Sequence, residues 1–282
     1  MEAPNMVQIF GSYMAWKATE DTWFINFMNG SQNMYLLEGD EKCLLIDTGW
    51  GAGNLRAFVE TLTDKPILVA NTHYHPDHAA GNGEFESVMM SAGYELDFAS
   101  VNERGPFDIS KLPHPDYERV IIGEGDLIDL GNRKIEVMGV LPAHCNSSLF
   151  FFDREQGLLF VGDDLESTQV LLYTNTGNPD FPYDVDVCLK NARANYVRIK
   201  EMEDIITMIL PNHNGFPIAK SYVDDYIGLI DHIYAGDAKI EDKLNHPFIE
   251  MDPKAPYLCR VRWNKASIFI RKDEVMKVYG TK

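Results

Sequence analysis

The sequence predicts an α/β protein built as a four-layer αββα sandwich, two β-sheets face to face with helices on the outside. Three observations lead there. Short extended runs recur along the chain and alternate with segments of helical spacing, the pattern of sheets covered by crossing helices. Glycine and proline punctuate these runs, and no repeat of solenoid type interrupts them. The chain of 282 residues, 45% hydrophobic and 24% charged, also has an ordinary globular composition at a size that one large sandwich domain can hold.

The elements follow in order. Residues 24–27, 33–37 and 42–46 read as short strands. A turn occupies 49–53, and Leu55, Phe58, Val59 and Leu62 recur at helical spacing. The apolar stretch 66–72 is strand-like and runs into a polar segment at 73–78. A strand at 87–90 and a helix over 94–101 come next. Segment 102–118, with Gly105-Pro106 and Pro113-His114-Pro115, reads as an exposed loop beside the site. Strands resume over 120–140 and at 149–152 and 158–161, and helical patterns cover 185–202 and 219–234. The chain then changes character. Residues 257–263 and 267–271 both alternate, with Asn264-Lys265-Ala266 between them, which is a hairpin signal. The expected organisation is a main domain over 1–235 with a C-terminal hairpin extension over 236–282 packed on it. Its expected role is to extend or cover a sheet edge; the sharper alternatives are a pocket wall or a homodimer contact.

The chemistry sits in His73-Tyr74-His75-Pro76-Asp77-His78. Pro76 forbids an ordinary helix interior and biases His75 toward an extended backbone, so the run reads as a loop. His73 and His75 then point one way, while Asp77 and His78 turn toward a neighbouring point. Neutral imidazole is the commonest protein metal ligand, and carboxylate suits harder or borderline divalent ions. Three imidazoles and a carboxylate at this spacing favour two adjacent metal centres over a plain polar loop.

This His-x-His-x-Asp-His run resembles the signature of the metallo-β-lactamase superfamily, in its glyoxalase II and lactonase-like branch, and other segments agree. Cys43-Leu44-Leu45-Ile46-Asp47-Thr48-Gly49 is similar to the family's early strand ending in an Asp-x-Gly turn. His144, in Ala143-His144-Cys145-Asn146-Ser147-Ser148, resembles the middle ligand. Leu158-Leu159-Phe160-Val161-Gly162-Asp163 is similar to the strand that delivers a bridging aspartate, and His213 in Pro211-Asn212-His213-Asn214-Gly215 to the last ligand. The five motif positions stand in the family's order over about residues 20–235.

The resemblance implies a metallo-β-lactamase fold and a dinuclear metal-dependent hydrolase. His73, His75 and His144 would hold a first metal with an open position of the catalytic kind. Asp77, His78 and His213 would hold a second, and Asp163 would bridge both. The implied cofactors are two divalent ions, zinc first, with manganese or iron compatible with the same ligands. A water shared by two dications becomes a hydroxide near neutral pH, suited to attack on a small-molecule ester, thioester, lactone or amide. Asp77 is the expected catalytic residue, orienting that water. Tyr173 and Tyr183 are the candidates for binding substrate. The alternatives are a non-hydrolytic redox or sensor protein on the same fold, or a phosphodiesterase.

Two departures and the charge balance narrow the class. Both glycines of the usual Gly-His-x-x-Gly-Ser pattern are replaced around His144, so that loop needs a different backbone arrangement. His75 has not become Glu, as it commonly does in the flavodiiron branch, which disfavours electron transfer. With 25 Lys plus Arg against 43 Asp plus Glu, the net charge of −18 argues against nucleic acid and leaves a small-molecule substrate as the expected partner. No apolar window is long enough to span a membrane, and the first residues lack a secretory pattern. Cys43, Cys145, Cys188 and Cys259 are spread out and read as reduced thiols, so a cytoplasmic location is expected. His114 reads as a surface loop residue, with pocket lining as the alternative; His232 and His246 are given structural roles, and Arg193, Arg198 and Lys200 a solvated helix face.

Overall fold

In the computed structural model, the described residues are 6–10, 13–27, 32–51, 53–101, 117–172, 184–242 and 258–281. Strand alternation builds the layers. In β4 (Asn33–Glu38) and β5 (Cys43–Ile46), Met34, Leu36, Cys43 and Leu45 face a core shared with Leu55, Phe58 and Val59 of α1 (Leu55–Val59). Tyr35, Leu37, Leu44 and Ile46 point the opposite way. They meet Ile135, Val137, Leu149, Phe151, Leu158 and Phe160 from β10 (Lys134–Gly139), β11 (Leu149–Asp153) and β12 (Leu158–Gly162). The intervening residues Met138, Phe150, Phe152, Leu159 and Val161 face a third core with α4 (Val185–Glu201) and α5 (Ser221–Ala235). A side-chain period of two lets one strand supply two cores, and burial on both faces explains runs as apolar as Leu149-Phe150-Phe151-Phe152. The sequence helix, sheet, sheet, helix is the αββα sandwich.

The first sheet has eight strands in chain order: β1 (Met6–Phe10), β2 (Tyr13–Thr19), β3 (Thr22–Phe27), β4, β5, β6 (Ile67–Ala70), β7 (Ser87–Met90) and β8 (Glu118–Ile121). It is antiparallel up to β5 and parallel from β5 to β8. Two short helices, α2 (Pro76–Ala79) and α3 (Tyr94–Val101), occupy its later connections. The second sheet runs β14-β12-β11-β10-β9, with β9 at Leu127–Asp129 and β14 at Met208–Pro211, and β12 lies parallel to β14. β1 and β2 extend the sheet beyond the first strand expected from sequence.

The two sheets are tied by Arg133, which is buried between them. Its Nε meets Asp153 Oδ2 at 2.7 Å, and Nη1 and Nη2 donate to Asp21 O at 2.8 Å and Thr22 Oγ1 at 2.7 Å.

The C-terminal hairpin corrects an expectation. β16 (Leu258–Trp263) and β17 (Ala266–Arg271) extend neither large sheet. With β13 (Val170–Leu171) and β15 (Lys239–Glu241) they make a third sheet, β13-β17-β16-β15. Its apolar face, Cys259, Val261, Ile268 and Ile270, completes the α4–α5 core, so apolar burial outweighs edge covering. Trp263 lies against α5 and stacks on His232 with ring centroids 4.6 Å apart. A last short helix, α6 (Lys272–Val275), follows. Among the described residues no helix is long and apolar enough to cross a membrane.

Candidate metal centre

Every predicted ligand is delivered by the end of an inner element. β6 stops at Ala70, and Asn71-Thr72 carry the chain to His73 and His75. His75 is extended (φ −84°, ψ 152°) and Pro76 takes the first position of α2, where a missing N–H costs nothing. Asp77 and His78 therefore stand on one helical turn, which corrects the expected loop: the same proline that is excluded from a helix interior is well suited to start one. His144 follows β10, Asp163 follows β12, and His213 follows β14. β12 and β14 pair Gly162 with Pro211, so their two ligands emerge side by side. Gly162 has φ 55°, and a Cβ there would lie 3.0 Å from Thr72 Cβ. The turn into Asp163 thus depends on glycine.

The seven side chains meet in two groups. His73, His75, His144 and Asp163 form one, and Asp77, His78 and His213 the other, with ligand atoms inside each group within 4.8 Å of one another. Asp163 Oδ2 lies between them, 3.7 Å from His73 Nε2, 3.6 Å from His144 Nε2, and 3.4 Å from Nε2 of both His78 and His213. Asp77 Oδ2 is 3.2 Å from His213 Nε2 and 3.5 Å from His78 Nε2. His75 Nδ1 is 3.1 Å from both His73 Nε2 and His144 Nε2, and Nε2 of His78 is 3.1 Å from that of His213.

Backing groups fix which ring nitrogens face inward. His144 Nδ1 donates to Leu171 O at 2.7 Å, His78 Nδ1 to Asp47 Oδ2 at 3.0 Å, and His73 Nδ1 to Thr72 Oγ1 at 3.1 Å. With their Nδ1 protons so used, the Nε2 lone pairs converge on the centre. Asp47 is the hub of this backing. It accepts Thr72 N–H and Oγ1–H at 2.7 Å each and Asn212 Nδ2–H at 2.6 Å, and it is held at φ 64°.

The electrostatics divide the two halves. Burial, helped by His78, holds His73 well below the ordinary imidazole range, and burial with His144 brings His75 to about 4. Burial also opposes a proton on His78 and His213, yet Asp163 and Asp77 raise both, His213 to about 9. Against burial, the facing imidazoles hold Asp77 and Asp163 well below the usual carboxylate range. Burial raises Asp164 to about 6, and burial with Asp163 raises Glu166 to about 8.

These residues fit divalent metal ions. Asp163 Oδ1 is buried with no hydrogen-bond partner among the described residues, a costly state for a carboxylate oxygen. Four inward imidazole nitrogens crowd this carboxylate, and mixed imidazole–carboxylate sets suit zinc-like ions. Tyr173 and Tyr183 lie outside the described residues, as do His114 and His246. Arg193, Arg198 and Lys200 pair on the surface with Asp231, Glu124 and Asp224. All four cysteines are buried thiols, and Cys145 packs with its Sγ 3.2 Å from Ser148 Oγ. Sequence reasoning gave Asp47 only a turn, and it gave no role to Thr72, Asp97 or Asn212. An aspartate two positions before a glycine, after an apolar strand, was the available signal for Asp47; Asp97 carried none.

The chain belongs to the metallo-β-lactamase superfamily, whose family model matches residues 28–194. Among curated relatives, the acyl-coenzyme A thioesterase MBLAC2 of Homo sapiens is 28% identical over 160 residues, covering 46% of this chain and 57% of that protein. The hydroxyacylglutathione hydrolase of Aliivibrio salmonicida is 32% identical over 131 residues, covering 45% and 44%. The chain thus spans about half the length of the curated relatives it matches. Among solved structures, a metallo-β-lactamase from Pontibacter korlensis has a TM-score of 0.53 at 18% identity, covering 81% of this chain and 99% of that one. The sec-alkylsulfatase Pisa1 from Pseudomonas sp. has a TM-score of 0.58 at 16% identity, covering 78% and 42%. At such identities the likeness is one of fold.

Proposed function

We propose that the protein is a dinuclear metal-dependent hydrolase of small-molecule thioesters. The observation that carries this reading is Asp163 Oδ2, standing 3.4–3.7 Å from four imidazole nitrogens contributed by both ligand groups. Such a position suits a carboxylate shared between two ions. His73, His75 and His144 would hold one ion, Asp77, His78 and His213 the other, and Asp163 would reach both; zinc is the proposed ion, with manganese or iron compatible. Bound there, two dications would supply an acidified water and a polarised acyl carbonyl.

The chain's own residues do the positioning. Asp47, Thr72 and the Leu171 carbonyl lock His78, His73 and His144 in the tautomer that offers Nε2. Asp77 stays ionised against burial because His78 and His213 face it, and its side chain is 22% exposed. It is therefore the group that orients the attacking water. A small-molecule partner is proposed, and nucleic acid is disfavoured by the net charge of −18. Thioesters rank above other esters because relatives from two separate groups are named for thioester hydrolysis.

The test is metal analysis of purified protein together with rates on acyl-coenzyme A, S-acylglutathione, simple esters, lactones, β-lactams and phosphodiesters. About two equivalents of transition metal and fastest turnover of thioesters are expected. Full activity in metal-free protein, or phosphodiesters cleaved faster than every ester, thioester and lactone, overturns the proposal.

A further inference from the structure

We infer that Asp97 is a positioning residue for the His144 half of the metal centre, an inference that rests on the metal reading above. The loop 143–148 lacks the two glycines found around the middle histidine in the superfamily's usual pattern. Its shape is imposed from α3 instead. Asp97, fully buried on that helix, accepts three hydrogen bonds from the loop. Oδ1 takes Asn146 N–H at 3.0 Å and Asn146 Nδ2–H at 2.9 Å, and Oδ2 takes Ser147 N–H at 2.7 Å. A carboxylate with both oxygens engaged by one loop fixes its position and its rotation, and charge-assisted bonds of this kind are the strong ones.

Two close approaches extend the brace. A Cβ on Gly93, just before α3, would lie 2.1 Å from Asn146 O, so only glycine lets the helix entry touch the loop. Ser147 Oγ in turn accepts the N–H of Tyr74, between His73 and His75, at 2.8 Å. Asp97 thereby sets His144 and the strand end carrying His73 and His75 in one frame. His78 and His213 draw their support from elsewhere, through Asp47 and through Asn33, which bonds the backbone on both sides of His213. The effect of Asp97 is consequently selective for one half of the centre.

Cobalt(II) titration of chelator-treated full-length protein, followed by visible absorption and by competition with a chromophoric chelator, separates the two equivalents. In Asp97→Asn an amide N–H must face one of the loop's N–H groups, and one equivalent should weaken by about 10–100-fold while the other holds. Asn146→Ala removes one of the three bonds and should fall between this variant and wild type. Gly93→Ala, which pushes the loop without touching a carboxylate, should reproduce Asp97→Asn, and Asp97→Glu should recover part of the loss. These variants keep the inference testable if Asp97→Asn folds poorly. Equal weakening of both equivalents, or unchanged affinities with only a lower melting temperature, overturns the assignment. Wild-type protein that takes up no cobalt defeats the metal reading itself.

Discussion

Gly162 turns the end of β12 so that Asp163 Oδ2 comes 3.4 Å from His78 and His213, whereas Asp164 points back, with Oδ1 3.5 Å from the N–H of His144. Adjacent aspartates therefore carry different work. Asp163→Asn is expected to lose at least about 100-fold in activity and one or both metals, beyond the 10–100-fold typical of groups behind the ligands. Asp164→Asn should stay within about tenfold, and the opposite ordering in kinetics and metal content would show that the roles are exchanged. The imidazoles also predict how the metal-free protein responds to pH. His75 has a folded value of about 4 against an ordinary 6.5, so its contribution to stability is present above 6.5 and lost as pH falls toward 4. His213 is raised to about 9, so its contribution is present below 6.5 and lost as pH rises through 9. Glu166, raised to about 8, loses its contribution over the same alkaline range, so chelator-treated protein is expected to lose stability from pH 6.5 to 9, by up to about 1.4 kcal/mol per pH unit for each group. Thermal melts across pH 4–9 give the comparison; metal-free protein that grows steadily more stable from 6.5 to 9 contradicts the assignment.

Elements hold the centre by ending together. β12 and β14 stop side by side, β6 leads to His73, and α2 starts just beyond because Pro76 can begin a helix it could not continue. Arg133 acts at the same scale, joining Asp153 of the second sheet to the β2–β3 turn of the first. Removing one partner of such a buried pair leaves the other charge stranded. Arg133→Ala is expected to cost about 3–5 kcal/mol, read from the denaturant midpoint. A loss below about 1 kcal/mol would mean that water replaces the guanidinium and that the sheets hold without it.

At the scale of the whole molecule, the C-terminal hairpin belongs to the core and reaches the site. β17 pairs with β13, the strand whose Leu171 carbonyl orients His144. Cys259, Val261, Ile268, Ile270, Val275 and Val278 are buried in the α4–α5 core. At about 1.5–3 kcal/mol for each large apolar side chain, their removal rivals the 5–15 kcal/mol by which whole domains are stable. A chain ending at residue 235 is expected to aggregate or to lack a cooperative melt by circular dichroism. A truncated protein with the full-length melting temperature would make the hairpin a dispensable appendage.

Much of this was legible in the chain. Short apolar runs such as 149–152 and helical spacing over 185–202 announced the layers, because both signals are local. The seven side chains that meet were recognisable by type and motif, since ligand chemistry is written in short segments around His73, His144, Asp163 and His213. Their support was not. Asp47 reaches Asn212, 165 positions away, and Asp97 reaches Asn146, 49 positions away; neither contact leaves a local pattern. The same holds for the third sheet: alternation announced a hairpin at 258–271, but its partners β13 and β15 are set by which apolar face the α4–α5 core lacked. Side-chain chemistry and local period are properties of the sequence by itself, whereas the choice of distant partner is made only when burial of one segment depends on another.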